Sequence, residues 1–156
     1  MVIRGAGDLA TGVAHRLWRA GFQVVMTEIA QPRALRRAVS LASAVYNGEA
    51  TVEGLTGRRA TDPDDVARIL AAGEVPVLVD PTLRLAQALA PEVVVDAILA
   101  KRNLGTSLHH APIVIGLGPG FLAGHDVHLV IETQRGHDLG KVIAQGSAAP
   151  DTGVPE

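Results

Sequence analysis

The stretch V-I-R-G-A-G-D-L-A-T-G, residues 2–12, decides how this chain is read. A short apolar run meets clustered glycines, and V-A-H-R-L-W-R-A follows with helical spacing. Strand, glycine turn and helix in that order open a βα unit. The first amides of such a helix lack intrahelical acceptors, and with the helix dipole they attract an anion. The dinucleotide fingerprint places G-x-G-x-x-[G/A] at this junction. Gly5, Gly7 and Ala10 fit it. Gly5 allows the turn, Gly7 lets phosphate approach the backbone, and Ala10 permits close helix–strand packing. Thr11, one residue on, joins the expected cofactor-binding set.

The same fingerprint expects an acid at the end of the second strand. Glu28 stands 21 residues after Gly7. A carboxylate there accepts ribose hydroxyls and repels a 2′-phosphate, which favours NAD or another unphosphorylated ribose over NADP. Asp8 weighs against a simple dinucleotide site, because it sits where a pyrophosphate would approach. Capping of the helix is its plainer role, and a metal at Asp8 is the alternative.

The pattern continues beyond the first unit. Helices are expected over 9–20, 33–38, 65–72 and 82–89, with Pro32 opening the second of them. The face of the first helix is expected to carry Leu9, Val13, Leu17 and Ala20. Strands are expected over 2–4, 22–27, 75–79, 93–95, 113–117, 128–133 and 141–144. Residues 44–46 and 50–52 are expected to pair around Asn47–Gly48, a hairpin signal. Strands alternating with helices imply an α/β fold, a Rossmann-like, mostly parallel sheet with helices on both faces. The last forty or so residues lack helical patterning. They are expected to form a β-rich, glycine-containing, antiparallel extension. The domain reading is a Rossmann-like nucleotide-binding region over 1–110 and an extension of it over 111–156.

Composition narrows the function classes. The 156 residues are 47% hydrophobic but only 3% aromatic, so aliphatic side chains and alanine must fill the core. A net charge of −2 gives no basic field for nucleic acid. Arg33, Arg36 and Arg37 form a local cluster, expected to be a solvated helix face. The absence of cysteine excludes thiolate chemistry, disulfides and cysteine-held zinc within this chain. No apolar run approaches the length of a membrane helix, and the chain is expected to be cytoplasmic.

A second glycine loop, G-L-G-P-G-F-L-A-G, spans residues 116–124. Ligands of open parallel sheets bind at the C-terminal ends of strands, so Gly118 and Gly120 are candidate ligand contacts. A sharp turn out of the sheet is the alternative. The following H-D-V-H-L-V-I-E-T-Q-R-G-H-D is polar on one face, with Asp126, His128 and Glu132 in alternation. Glu132, Arg135 and His137 are candidates for substrate binding or proton transfer. No fixed ligand spacing is present, and no metal site is assigned. Lys101 follows a buried strand and can meet a phosphate. An ion pair with Asp96 is the plainer reading.

Several long stretches, VIRGAGDLATGVAHRL, VDAILAKRNLGT and IGLGPGFLAGHDVHLVIETQRGHDLG above all, together resemble the YqeB-like family. That family is associated with selenium-dependent molybdenum hydroxylases. The resemblance implies an accessory protein in maturation of such an enzyme or its cofactor, with a Rossmann-like N-terminal region. It assigns no catalytic roles to particular residues. It also implies a further small β-rich domain after the G-S-A-x-P-x-T-G-x-P segment, whereas the sequence stops at Glu156. The ligand expected is NAD, another nucleotide, or molybdopterin dinucleotide. The partners expected are a molybdenum hydroxylase or its cofactor, with a homo-oligomer as a further expectation. Whether a reaction is catalysed is left open. The alternatives are an NAD-dependent oxidoreductase using His137 or Lys101, and a ligand-free scaffold.

Overall fold

The computed structural model describes residues 1–150. The expected loop-like tail therefore lies outside the described residues from Asp151 onward. The chain forms two compact units, Met1–Pro91 and Glu92–Glu156. The division falls after Pro91, so the strand that follows it groups with the later segments.

The first unit holds strands β1 (Val2–Arg4), β2 (Val25–Glu28), β3 (Glu49–Val52), β4 (Leu55–Ala60) and β5 (Val75–Val79) in the order β3-β4-β5-β2-β1. Neighbours run parallel except β3 and β4. The second unit holds β6 (Val93–Asp96), β7 (Ile113–Leu117), β8 (Leu129–Ile131) and β9 (Val142–Ile143) in that order. Here β6, β7 and β8 are parallel, and β9 is antiparallel to β8. The α/β, mostly parallel architecture expected from the alternation of elements is present.

Helix α1 (Asp8–Arg19) buries Ala10, Thr11 and Ala14. Small residues on the buried stripe bring the helix close to the strands. Its buried stripe differs from the expected one. Leu9 is 54% exposed, while Val13 and Leu17 are only half-buried. The largest apolar residues of α1 therefore flank the contact instead of making it. Gly21, with φ 90°, carries the chain away from the helix end.

Two expectations in the first unit are corrected, and one strand is added. Residues 33–36 are not helical; only a 3-10 turn at Arg37–Val39 follows. The R-A-L-R-R-A run has no apolar stripe to bury, and Leu35 is 99% exposed. The arginine cluster thus lies on an irregular segment. Next, Asn47–Gly48 is not a hairpin turn. It ends α2 (Ala44–Asn47), with Gly48 at φ 84°. The hairpin turns one step later, at Glu53–Gly54, where both φ angles are positive. Lastly, β4 had no counterpart in the sequence reading. Its Gly57 approaches Leu41 so closely that a Cβ would stand 3.2 Å from the Leu41 methyls.

Helix α3 (Pro63–Ala71) forms for the expected reasons. The Asp62 carboxylate accepts the Asp65 N–H at 2.8 Å, and Pro63 occupies the first turn. Helix α4 (Arg84–Ala88) is held by Asp80. That buried carboxylate accepts the Arg84 and Ala86 N–H groups, both at 2.9 Å.

In the second unit the expected antiparallel extension is corrected in part. The link between β7 and β8 spans residues 118–128, long enough to return the chain to the same end, so those strands are parallel. Both late strands are shorter than expected. Asp126, in a turn, and Glu132 both lie outside β8, so no strand face joins them. Val94, Val114, Val127 and Val130 form the aliphatic centre, each at most 1% exposed. Burying each such side chain contributes roughly 1.5–3 kcal/mol.

Candidate functional site

The β1–α1 corner is built from the glycine loop outward. Gly5 has φ 102° and donates its N–H to the Thr27 carbonyl at 2.8 Å. Ala6 is fully buried. Its N–H donates to Glu28 Oε2 at 2.9 Å. Glu28 Oε1 accepts the Ile29 N–H at 2.8 Å. The acid expected to meet a ribose thus also holds the loop, and it points into the corner.

The Ala6 carbonyl is the second anchor. It accepts the Ala42 N–H and the Ser40 hydroxyl, each at 2.8 Å, and the Thr11 hydroxyl at 3.3 Å. Thr11 Oγ1 also accepts the Leu41 N–H at 3.0 Å. Thr11, expected to contact a ligand, is buried and ties the helix to the segment before α2. Ser40 is an equally buried member of this knot that the sequence reading passed over.

Gly7 is the N-cap of α1, with extended backbone and no side chain to cap the first turn. A Cβ placed there meets nothing within 4 Å. Asp8 occupies the first turn, and its Oδ2 lies 2.5 Å from Arg36 Nη2. Both groups are solvent-accessible, so the pair adds little stability, about 0–1 kcal/mol. Its larger effect is electrostatic: Arg36 offsets a carboxylate at the point where an anion would arrive. Arg36 therefore lies outside any helix and faces Asp8, contrary to the expected solvated helix face. Arg37 lies over the Tyr46 ring at 5.9 Å.

The second glycine loop has a different character. A Cβ at Gly116 would lie 2.5 Å from the Phe121 ring. At Gly118 it would lie 2.6 Å from Thr133 Oγ1, and at Gly120 2.5 Å from the Arg102 Cα. Packing within the second unit accounts for these glycines. Leu99 and Lys101 adopt left-handed φ angles of 57° and 61° in the segment that meets them. Such conformations cost about 1–2 kcal/mol per residue.

The polar residues around this loop divide sharply. Glu132 is 6% exposed, and both its oxygens are engaged. Oε1 accepts the Thr133 and Gln134 N–H groups at 2.8 Å, and Oε2 accepts the Ala149 N–H at 2.7 Å. Burial, the largest influence, pushes this carboxyl up; the N–H bonds from Ala149, Gln134 and Thr133 outweigh it and hold the group below its ordinary value. Asp96 is 1% exposed; it accepts the Thr106 hydroxyl at 2.5 Å and the Ile98 N–H at 3.1 Å. Asp126 accepts the Leu122 N–H at 2.9 Å and lies 3.0 Å from His125. His128 Nδ1 accepts the Val114 N–H at 3.0 Å. Lys101, Arg135 and His137 are exposed. Among the described residues no three His, Asp or Glu side chains gather to hold a metal. No helix among them is long and apolar enough to cross a membrane.

No known family model matches the chain. No solved structure matches it either. A protein of Escherichia coli (strain K12), described as "Uncharacterized protein YqeB", is 55% identical to it over 155 residues. That alignment takes in 99% of this chain and 29% of the relative, so the chain spans less than a third of that protein's length. Over nearly its whole length, then, this chain is similar to YqeB of Escherichia coli, in keeping with the YqeB-like character of its motifs.

Proposed function

We propose that this chain binds a phosphate-bearing, nucleotide-type ligand at the β1–α1 corner. We further propose that it serves as an accessory protein in the maturation of a selenium-dependent molybdenum hydroxylase. One observation carries the first part. Glu28 fixes the loop through the Ala6 N–H at 2.9 Å, while the space beside Gly7 stays open at the head of a twelve-residue helix. A clamped loop with an open N-cap is organised for an anion before the anion arrives.

In this reading the first-turn amides of α1 receive the phosphate. Gly7 leaves room for close approach. Glu28 is already oriented by two N–H groups and has lone pairs left for a ribose hydroxyl. Arg36 turns from Asp8 toward the phosphate, so the neighbouring acid does not expel the ligand. NAD, another nucleotide and molybdopterin dinucleotide all carry the required chemistry. The molybdenum hydroxylase part rests on the family resemblance alone.

Gly118 and Gly120 take a packing role here, which narrows the expected pair of glycine cradles to one. Titration with NAD, ATP, CTP and molybdopterin dinucleotide, followed by melting temperature, tests the reading. A dose-dependent rise for at least one supports it, and no rise with any of them at millimolar concentration overturns it.

A further inference from the structure

We infer that Ser40 is a positioning residue of the β1–α1 corner: by fixing the Ala6 carbonyl it keeps the Gly7 N–H turned outward for an anion. The inference rests on the binding proposed above. Among the described residues every peptide bond is trans, so the Ala6 carbonyl and the Gly7 N–H point in opposite directions from one rigid plane. The inner end of that plane is held. The carbonyl oxygen has two lone pairs, and the Ala42 N–H and the Ser40 hydroxyl take them at 2.8 Å each. The Thr11 hydroxyl stands further off, at 3.3 Å. The outer end faces away from this buried knot. Gly7 is half-buried, a Cβ on it meets nothing within 4 Å, and its own carbonyl already accepts the Thr11 N–H at 2.8 Å.

Burial makes the choice of serine informative. Ser40 is 0% exposed, and its hydroxyl donates to the Ala6 carbonyl. A buried hydroxyl costs stability unless it is bonded, so alanine would fill the same place more simply. The segment from Glu28 to Ser40 closes on Ala6 at both ends. Glu28 takes the Ala6 N–H at 2.9 Å, and Ser40 takes the carbonyl. One segment thus sets both peptide planes of Ala6, and the same segment carries Arg36 to Asp8. Rotation of the Ala6–Gly7 plane turns the Gly7 N–H out of line without altering any group that touches the anion. Ser40 thereby controls the fraction of molecules ready to bind, and apparent affinity scales with that fraction.

The test titrates pyrophosphate by calorimetry into wild type, Ser40→Ala and Ile69→Val. Ile69 is buried in α3, which packs on β4 and β5. Its truncation to valine and the loss of one hydrogen bond cost comparable stability, so Ile69→Val is the control for destabilisation alone. Ser40→Ala is expected to bind about fivefold more weakly, the worth of one hydrogen bond. Without pyrophosphate it is also expected to shift the Ala6 carbonyl carbon and the Gly7 amide resonances. Ile69→Val is expected to bind as wild type does and to move neither resonance. Amide exchange in wild type is the second measurement if Ser40→Ala does not fold: the Gly7 N–H should exchange quickly until pyrophosphate is added, and the Ala6 N–H slowly throughout. Where wild type binds, this inference alone is overturned by equal affinity in Ser40→Ala, by the same weakening in Ile69→Val, or by a Gly7 N–H protected before pyrophosphate is added. Failure of wild type to bind pyrophosphate or any nucleotide overturns the proposed site, and the positioning role with it.

Discussion

The carboxylate of Glu28 receives the N–H of Ala6 across the β1–α1 corner at 2.9 Å. The same carboxylate takes the Ile29 N–H, so each oxygen is oriented by a backbone donor. Glu28→Gln turns an NH2 toward one of these donors. The expected loss is about 1 kcal/mol, a typical value for one hydrogen bond. Urea denaturation measures it, and a variant as stable as wild type would show that the clamp is not formed in solution.

Gly7 offers a trade between stability and binding. Its backbone is already that of an N-cap, and a Cβ meets no neighbour. Gly7→Ser supplies the missing cap and is expected to raise stability by a few tenths of a kcal/mol. The serine hydroxyl also takes a first-turn amide and narrows the corner, so nucleotide affinity should fall at least about tenfold by the loss of a charge-assisted contact. Parallel melting and binding curves check both signs.

Gly120 predicts the opposite balance. Its φ of 104° and the Arg102 backbone 2.5 Å from a built Cβ leave no room for alanine. Gly120→Ala is expected to cost more than about 3 kcal/mol, combining left-handed strain with overpacking. Circular dichroism and urea midpoints on Gly120→Ala beside Gly7→Ala would separate a packing glycine from an open one. Comparable stabilities would contradict the assignment.

Much of this was legible in the sequence. Val75–Val79 and Ile113–Leu117 have the bounds their apolar runs announce. Asp62–Pro63 marked the start of α3 through ordinary capping chemistry. The failures share a cause. Arg33–Arg37 had charges at helical spacing but no apolar stripe, and long-range anchors at Ala6 and Tyr46 shape that segment instead. Strand β4 was hidden because Gly57 and two arginines break its alternation; its buried positions are Leu55, Gly57 and Ala60. At the site, Gly5, Gly7 and Glu28 were readable from spacing. Ser40 was not, because its contact to Ala6 spans 34 residues and carries no local signal. Glu132 drew attention as a polar group on a strand. Its three backbone donors, one of them 17 residues away, emerge only in three dimensions.

Glu132 also makes stability depend on pH. Its folded carboxyl titrates below the ordinary value of 4.5. Its contribution is therefore complete above about pH 4.5 and is lost as pH falls through the lower folded value. Acid should free the Ala149 N–H first, read as faster amide exchange there. In Glu132→Gln that N–H should exchange quickly at neutral pH too. A wild-type profile identical to that of the variant below pH 5 and above it would contradict the latch.

Amide chemical shifts of the β1–α1 corner during titration with pyrophosphate and NAD test the central claim most directly. The account predicts saturable shifts at Gly7, Asp8, Leu9 and Ala10, reduced in Gly7→Ser. Shifts absent from those four amides at saturating ligand would contradict it.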